Sequence, residues 1–260
     1  MKVPKRFGLA RVISKLGYCS RSQATALILE KRVTVNGRLV QNPESPVRSS
    51  KDKIAVDGVF LEKQAAIYLA MNKPRGTVTT ASDEKGRATV YDLLPADGPR
   101  DEPRDGLWVA PVGRLDKASE GLLLLTNDSR WAARITDPAS HLDKVYHVQV
   151  DCVVGPSALA KLIEGHQDRE EHLHAKTARL LRHGGKNSWL EITLDEGKNR
   201  QIRRLLEALG MGVLRLVRVS IGPLELGDLK KGAVRPLRRK EKLAIDQALR
   251  EPSDRKSEPK

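Results

Sequence analysis

Residues 120–128, EGLLLLTND, constrain the fold of this chain more than any other segment. The run Leu122 to Leu125 is too short for a helix, and turn-forming residues bound it at Gly121 and at Asn127-Asp128, so it suits a central, buried strand. Just ahead lies the charged corner Arg114-Leu115-Asp116, in VGRLDKASEG. An aspartate at the lip of a buried strand is either a turn residue or a catalytic carboxylate held toward a cleft by a rigid mount. Residue type alone favours the turn.

The segments around that strand follow the same logic. YLAMNKPRGTVTT, from Tyr68, reads as a strand broken by a turn at Lys73 to Gly76, and the Pro/Asp/Gly-rich stretch Pro95 to Gly106 as a surface insertion. Val109 to Val112 is extended, and Asn127-Asp128-Ser129 caps a helix around Trp131 to Ile135. Lys144 to Val150, KVYHVQV, alternates with period two, and Pro156 to Gly165 is a helix. Ala175 to Leu181 pairs with Ser188 to Leu194, Lys198 to Leu209 is a helix ended by Gly210, and Val213 to Ile221 is a strand. Strands outnumber helices, hairpins mix with crossovers, and there is no internal repeat. The expectation is an α+β body around a mainly antiparallel mixed sheet.

The N-terminal segment is a different module. A short helix with Leu9, Val12, Ile13 and Leu16 inward stops at Gly17, and Ser20 with Gln23 has capping-box spacing for a second helix to about Lys31. A hairpin turns at Asn36-Gly37 and a strand follows at Lys53 to Val56. The expected organisation is a helix-helix-hairpin domain at 1–60, a linker at 61–66, a larger domain at 67–240 and a basic, partly disordered tail at 241–260, which opens as a helix near Arg238.

Charge separates these parts. The net charge is +14, and residues 1–64 hold 13 Lys and Arg against 5 Asp and Glu, whereas residues 65–234 hold 25 against 23. A basic head on a balanced body fits a nucleic-acid enzyme, although excess charge also serves solubility. Arg21, Lys31, Arg32 and Arg38 lie on the second helix and the hairpin, where they can reach phosphates. No apolar run approaches the roughly 18 residues that span a bilayer, and the N-terminus lacks the apolar centre of a signal peptide, so a soluble cytoplasmic protein is expected.

Metal and cofactor motifs are missing from the chemistry on offer. Two cysteines without CxxC spacing make no disulfide framework or zinc site, and there is no GxGxxG, P-loop, HExxH or Gly-x-Ser-x-Gly. His172 and His174 have no partner cysteine nearby. The sequence therefore points to side-chain chemistry with no cofactor and no metal. Besides Asp116, two places are candidates. The period of KVYHVQV puts Tyr146 on the valine face, as a core residue or as a ring that stacks on a base. In EGKNRQIRRLLEALG, Arg200, Arg203 and Arg204 lie opposite the stripe Ile202, Leu205, Leu206 and Leu209, as a solvated face or as contacts to phosphate and to a buried carboxylate.

In order, MNKPRGTVTT, VGRLDKASEGLLLLTND, KVYHVQV and EGKNRQIRRLLEALGMGVLRLVRVSIGPLELGDLKKGAVRPL resemble the RsuA-type bacterial ribosomal-RNA pseudouridine synthases. CSRSQATALILEKRVTVNG resembles the S-four-type RNA-binding domain. Ser129 departs from the glycine usual after Asn-Asp. The resemblance implies that Asp116 is the essential catalytic residue, that Arg114 holds the flipped nucleotide and that Tyr146 stacks on the target base. It also implies that Arg203 pairs with the aspartate and that Leu216 lies near an apolar contact to the site.

The implied reaction breaks the N1 to C1′ bond of a uridine, turns the uracil and rejoins it through C5. A carboxylate attacks the electron-poor C1′ or removes a neighbouring sugar proton, and the sequence leaves both open. The implied partner is ribosomal RNA or a ribosome-assembly intermediate, with no small-molecule substrate, and the implied state is a monomer. SEGLLLLTND and SWLEITLDEGKNRQIRR lean toward large-subunit enzymes and DSRWAARITDP toward the small-subunit type, so 23S is favoured over 16S. An inactive rRNA-binding assembly factor is the alternative. A ribosomal-RNA nuclease would want a carboxylate cluster or histidine pair that the sequence lacks.

Overall fold

The computed structural model describes residues 6–49, 51–80, 83, 85–95 and 108–250. The expected insertion, from 96 on, and the tail from 251 lie outside the described residues. Contacts divide the chain into two units, one built from 1–68 with 94–111 and 125–131, the other from 69–93, 112–124 and 132–260.

In the first unit β1 (Phe7–Gly8) precedes α1 (Leu9–Lys15) and α2 (Arg21–Leu29). The capping box forms both ways: the Ser20 hydroxyl accepts from Gln23 N at 3.2 Å and the Gln23 carbonyl oxygen accepts from Ser20 N at 2.9 Å. Strands β2 (Val33–Val35) and β3 (Arg38–Leu39) turn through Asn36 and Gly37, at φ 52° and 78°, the two positive φ values of a tight hairpin turn. Then come β4 (Pro46–Val47), which pairs with β1, and β5 (Ile54–Val56) with β6 (Val59–Phe60). The small sheet runs β3-β2-β5-β6, and Leu9, Val12, Ile13, Ala24, Ile28 and Val33 pack with Val47, Ile54 and Val56 as its core. Burial pushes the Cys19 thiol in this core up to about 12, so it stays protonated and inert. Residues 61–67 form no regular element, although Leu61 packs against the same core.

The main sheet is assembled from β7 (Tyr68–Lys73), β8 (Ala110–Val112), β9 (Glu120–Thr126), β10 (Lys144–Val150), β13 (Thr177–His183), β14 (Ser188–Leu194), β15 (Val213–Ile221), β16 (Leu224–Glu225) and β17 (Val234–Pro236). Between β10 and β13 the chain adds α4 (Pro156–Glu164) and the hairpin β11 (His166–Asp168) with β12 (Glu171–Leu173). Helix α3 (Ser129–Thr136) follows β9, α5 (Gln201–Ala208) follows β14 and α6 (Arg239–Ala248) follows β17. The order is β13-β14-β10-β15-β9-β7-β17, with β8 added to β9 and β16 to β15. β10 pairs antiparallel with β14 and β15, while β15 and β9 run parallel. This is the expected α+β body with a mixed, mostly antiparallel sheet.

All seven residues of β9 are buried, as its leucines require. On one face of the sheet Val148, Val150, Leu190, Ile192 and Leu216 form a core with Leu162 of α4 and Ile202, Leu205 and Leu206 of α5. The stretch expected as tail is ordered through α6: Ile245 is fully buried, and Arg235 holds Glu241 through two hydrogen bonds of 2.7 Å.

Gly121 sits where β9 meets β15, paired with Arg218. Its φ is +102°, and a Cβ there would stand 2.2 Å from the Arg218 carbonyl oxygen and 2.7 Å from its nitrogen. The strands approach this closely only because position 121 lacks a side chain.

Candidate active site

The corner preceding β9 is held from the MNKPRGTVTT segment. Thr79 Oγ1 donates to Leu115 O at 2.8 Å and accepts from Leu115 N at 3.3 Å, and Gly76 N donates to Lys117 O at 2.8 Å. Lys73 is fully buried, and its Nζ donates to Pro74 O, Asp116 O and Ser119 O at 3.1, 3.1 and 2.9 Å. Four residues after Asp116, Glu120 is gripped by Arg215 at 2.7 Å and Lys231 at 2.6 Å. Burial opposes the charge of Glu120, but these hydrogen bonds overcome it and lower its pKa. Lys73 and Thr79 were not singled out in the sequence, because their role lies in backbone carbonyls and amides far along the chain.

Burial brings the Lys73 pKa down from 10.5 to about 8, against the pull of Asp116 and Glu120. Between those values the unfolded chain binds more protons than the fold, so the Lys73 contribution to stability rises with pH from about 8 to 10.5. The stability difference between the wild type and Lys73→Met is therefore expected to grow over that window, by up to about 3 kcal/mol. Urea titrations at several pH values check this. A flat or falling difference would show that Lys73 is not held as a buried cation.

Asp116 is half-buried, and its side chain opens onto a cavity of about 230 Å³. Arg114, Tyr146, Arg200, Arg203 and Leu216 also line it, together with Lys144 and Arg218. Three expected catalytic residues, the apolar contact and two of the expected RNA contacts therefore share one concavity. Tyr146 stands on the valine face of β10, as its period required, and packs against the core cluster beneath.

The arginines divide differently from the expected single helix face. α5 starts at Gln201, and Arg200 is its N-cap residue in the left-handed conformation at φ 50°. Gln201 holds the start of the helix, accepting from Lys198 N and donating to His174 O and Glu196. Placed ahead of the helix, Arg200 is the nearest guanidinium to the aspartate, Nη1 to Oδ2 at 3.4 Å. Arg203, the expected partner of Asp116, instead donates from Nη2 to Ala118 O at 3.1 Å, and so braces the loop behind the carboxylate. Burial, then repulsion from Arg200, lowers the Arg203 pKa, and attraction to Asp116 opposes the shift. Arg204 does not line the cavity: it pairs with Asp168 and Glu171 and ties the β11–β12 hairpin to α5. Both carboxylates engage its charge, which leaves less of it for phosphate than the sequence implied.

Arg21, Lys31 and Arg38 are exposed in the first unit. Arg32 is also exposed, but it is engaged with Asp57 at 2.6 Å and Glu30 at 3.2 Å, which leaves less of its charge for phosphate than the sequence implied. His172 and His174 stack at 5.8 Å, and no group of three potential metal ligands occurs among the described residues. No helix among them is long and apolar enough to cross a membrane.

A cavity carrying a carboxylate, a tyrosine face and several arginines, on a mixed sheet in a chain with a basic N-terminal module, has the chemistry of an enzyme for a polyanionic substrate. The family model for RNA pseudouridylate synthase matches residues 67–208, and that for the S4 domain matches residues 7–54. A protein of Aquifex aeolicus described as an uncharacterized RNA pseudouridine synthase is 37% identical over 240 residues, which cover 92% of this chain and 93% of that one. The ribosomal large subunit pseudouridine synthase B of Bacillus subtilis is 36% identical over 231 residues, covering 88% of this chain and 91% of that one. A crystal structure of a pseudouridylate synthase is 30% identical with a TM-score of 0.64, over 92% of this chain and 99% of that one. The chain belongs to the RNA pseudouridine synthases, which are isomerases, and carries an N-terminal S4 domain.

Proposed function

We propose that this protein converts a uridine of ribosomal RNA to pseudouridine, in 23S rather than 16S RNA, using Asp116 and neither metal nor cofactor. The observation that carries this reading is the shared cavity of Asp116, Tyr146, Arg203 and Leu216. Asp116 is the reacting carboxylate, attacking C1′ or removing a neighbouring sugar proton, with the Arg200 guanidinium at 3.4 Å and Arg203 bracing the loop behind it. Tyr146 stacks on the uracil while it turns and takes the C5 proton at the end, over an apolar wall that includes Leu216. Arg114, exposed at the rim, holds the flipped nucleotide, and Arg21, Lys31 and Arg38 supply phosphate contacts that offset the cost of unstacking it.

The preference for the large subunit is supported by relatives named for it in Bacillus subtilis, Yersinia pestis and Salmonella typhi. The protein acts as a monomer in the cytoplasm, on 23S RNA or an assembly intermediate that contains it. Incubating the purified protein with 23S and 16S transcripts and mapping carbodiimide-reactive positions tests this. A single new pseudouridine in 23S is expected. Modification of 16S alone would overturn the subunit assignment, and modification of neither RNA nor of ribosomal precursor particles would overturn the substrate class.

A further inference from the structure

Two cations beside Tyr146 have no part in the chemistry described so far. Lys144 lies two residues before Tyr146 on β10, so the alternation of the strand puts both on one face of the sheet. Arg218 is the cross-strand partner of Tyr146 on β15, which puts its side chain on that face too. All three line the cavity that holds Asp116. Arg218 is only 7% exposed; its Nε donates to Leu122 O at 2.7 Å, and its Nη2 is buried with no hydrogen-bond partner among the described residues. Burial first, and then repulsion from Arg218, lowers the pKa of Lys144, while Asp195 and Asp143 pull the other way.

This arrangement is costly in the resting protein. In the same unit Glu120 has Arg215 and Lys231, and Lys73 has three carbonyl oxygens; Arg203 Nε, on the Asp116 side of the cavity, is the other guanidinium nitrogen among the described residues that is buried without a partner. A buried guanidinium with an unpaired Nη2, next to a second cation, lowers stability unless an anion arrives to use it. RNA phosphates are an unsuitable match, because the site to be filled lies on the sheet face beside the ring proposed to stack on the base.

We propose that Arg218 and Lys144 are catalytic groups that accept the negative charge of the detached uracil. The proposal rests on the pseudouridine synthase reading above. When the C1′–N1 bond breaks, its electron pair leaves with N1, and the base becomes a uracil anion with its charge shared among N1, O2 and O4. The sugar is left electron-poor, and Asp116 either forms an ester bond to C1′ or takes a neighbouring sugar proton. Both routes release the base as the same anion. Rejoining reverses the charge: an electron pair at C5 forms the C5–C1′ bond, and Asp116 leaves C1′ or returns its proton. C5 then gives up its proton to a base, and N1 gains one. Arg200 and Arg203 stand by Asp116 and Ala118, toward the sugar side of this exchange, whereas Arg218 and Lys144 stand with Tyr146, against the base. Fixed donors that meet charge only as it develops favour the transition state over bound substrate.

The test compares single-turnover rates and RNA affinities of wild type, Lys144→Met, Arg218→Met and Arg218→Lys on one target RNA. The target position carries either uridine or 2-thiouridine, whose base leaves as a better stabilised anion. Both methionine variants are expected to bind RNA with wild-type affinity and to react about 10²–10³-fold more slowly at uridine. Their deficit shrinks at 2-thiouridine, which needs less help to leave, and Arg218→Lys recovers part of the lost rate. Equal slowing at both bases, or unchanged rates, would overturn the proposal. Lys144→Met keeps the test decisive if Arg218→Met does not fold. Asp116→Asn, run alongside, separates the two readings: turnover by that variant defeats the reaction assignment itself, whereas its inactivity beside unaffected cation variants defeats only the role of Arg218 and Lys144.

Discussion

Asp116→Asn is expected to bind target RNA as tightly as the wild type and to form no pseudouridine. The substitution keeps the shape of the side chain and removes the one oxygen charge that the reaction uses. The backbone of the corner does not depend on that charge: Lys73 holds Asp116 O, Thr79 holds Leu115 and Gly76 holds Lys117 O. The ion pair lost with Arg200 is long, at 3.4 Å, and its side chains are 51% and 35% exposed, so it contributes at most about 1 kcal/mol after solvent screening. Folding and RNA binding should survive almost unchanged, while the rate falls by about 10⁴-fold or more, as when an enzyme loses its nucleophile. Tritium release from RNA labelled at uridine C5 measures the rate, and filter binding measures affinity. Near-normal release by the variant would return Asp116 to a turn residue.

Gly121→Ala is expected to damage the protein far more than its one added methyl group implies. The new Cβ would meet the carbonyl oxygen and nitrogen of Arg218 at 2.2 and 2.7 Å, and both are backbone atoms that cannot rotate away. The φ of +102° is unfavourable for any side chain as well. Relief requires β9 and β15 to separate, which opens the fully buried leucine strand and shifts the mount of Asp116. We expect a loss of about 3 kcal/mol or more, or on the order of 10 °C in Tm, together with activity. Gly37→Ala is the control: φ is +78° there but nothing lies within 4 Å of the added carbon, so only the backbone cost of about 1–2 kcal/mol applies. Equal small losses in both variants would mean that β9 and β15 are not pressed together at Gly121.

Local chemistry was readable where a few neighbouring residues suffice to satisfy it. Ser20 and Gln23 cap α2 by themselves, Asn36-Gly37 turns its own hairpin, and the period of KVYHVQV puts Tyr146 on the core face wherever the strand is used. α5 starts at Gln201, three residues later than the sequence pattern suggests, and a residue ahead of a helix points where no helical face points. Arg200 consequently reaches Asp116, whereas Arg203 reaches Ala118. Arg204 looked equivalent to both in the sequence, but Asp168 and Glu171, more than thirty residues earlier, claim it.

Residue pattern alone is enough for the buried strand and for the charge difference between the two modules, because periodicity, capping and charge act over a turn or two of chain. For Asp116 it left a turn residue in front, and the resemblance of whole motifs pointed to a site there and at Tyr146. Which cation meets which anion was settled by the folded arrangement. An ion pair or a buried carbonyl contact depends on distance in space, and the links that matter here join Lys73 to Asp116, Arg200 to Asp116 and Arg218 to Tyr146 across 43 to 84 residues of sequence. Close approach of β9 and β15 at Gly121 seats Arg218 against the leucine strand, and no local pattern encodes that approach except the missing side chain.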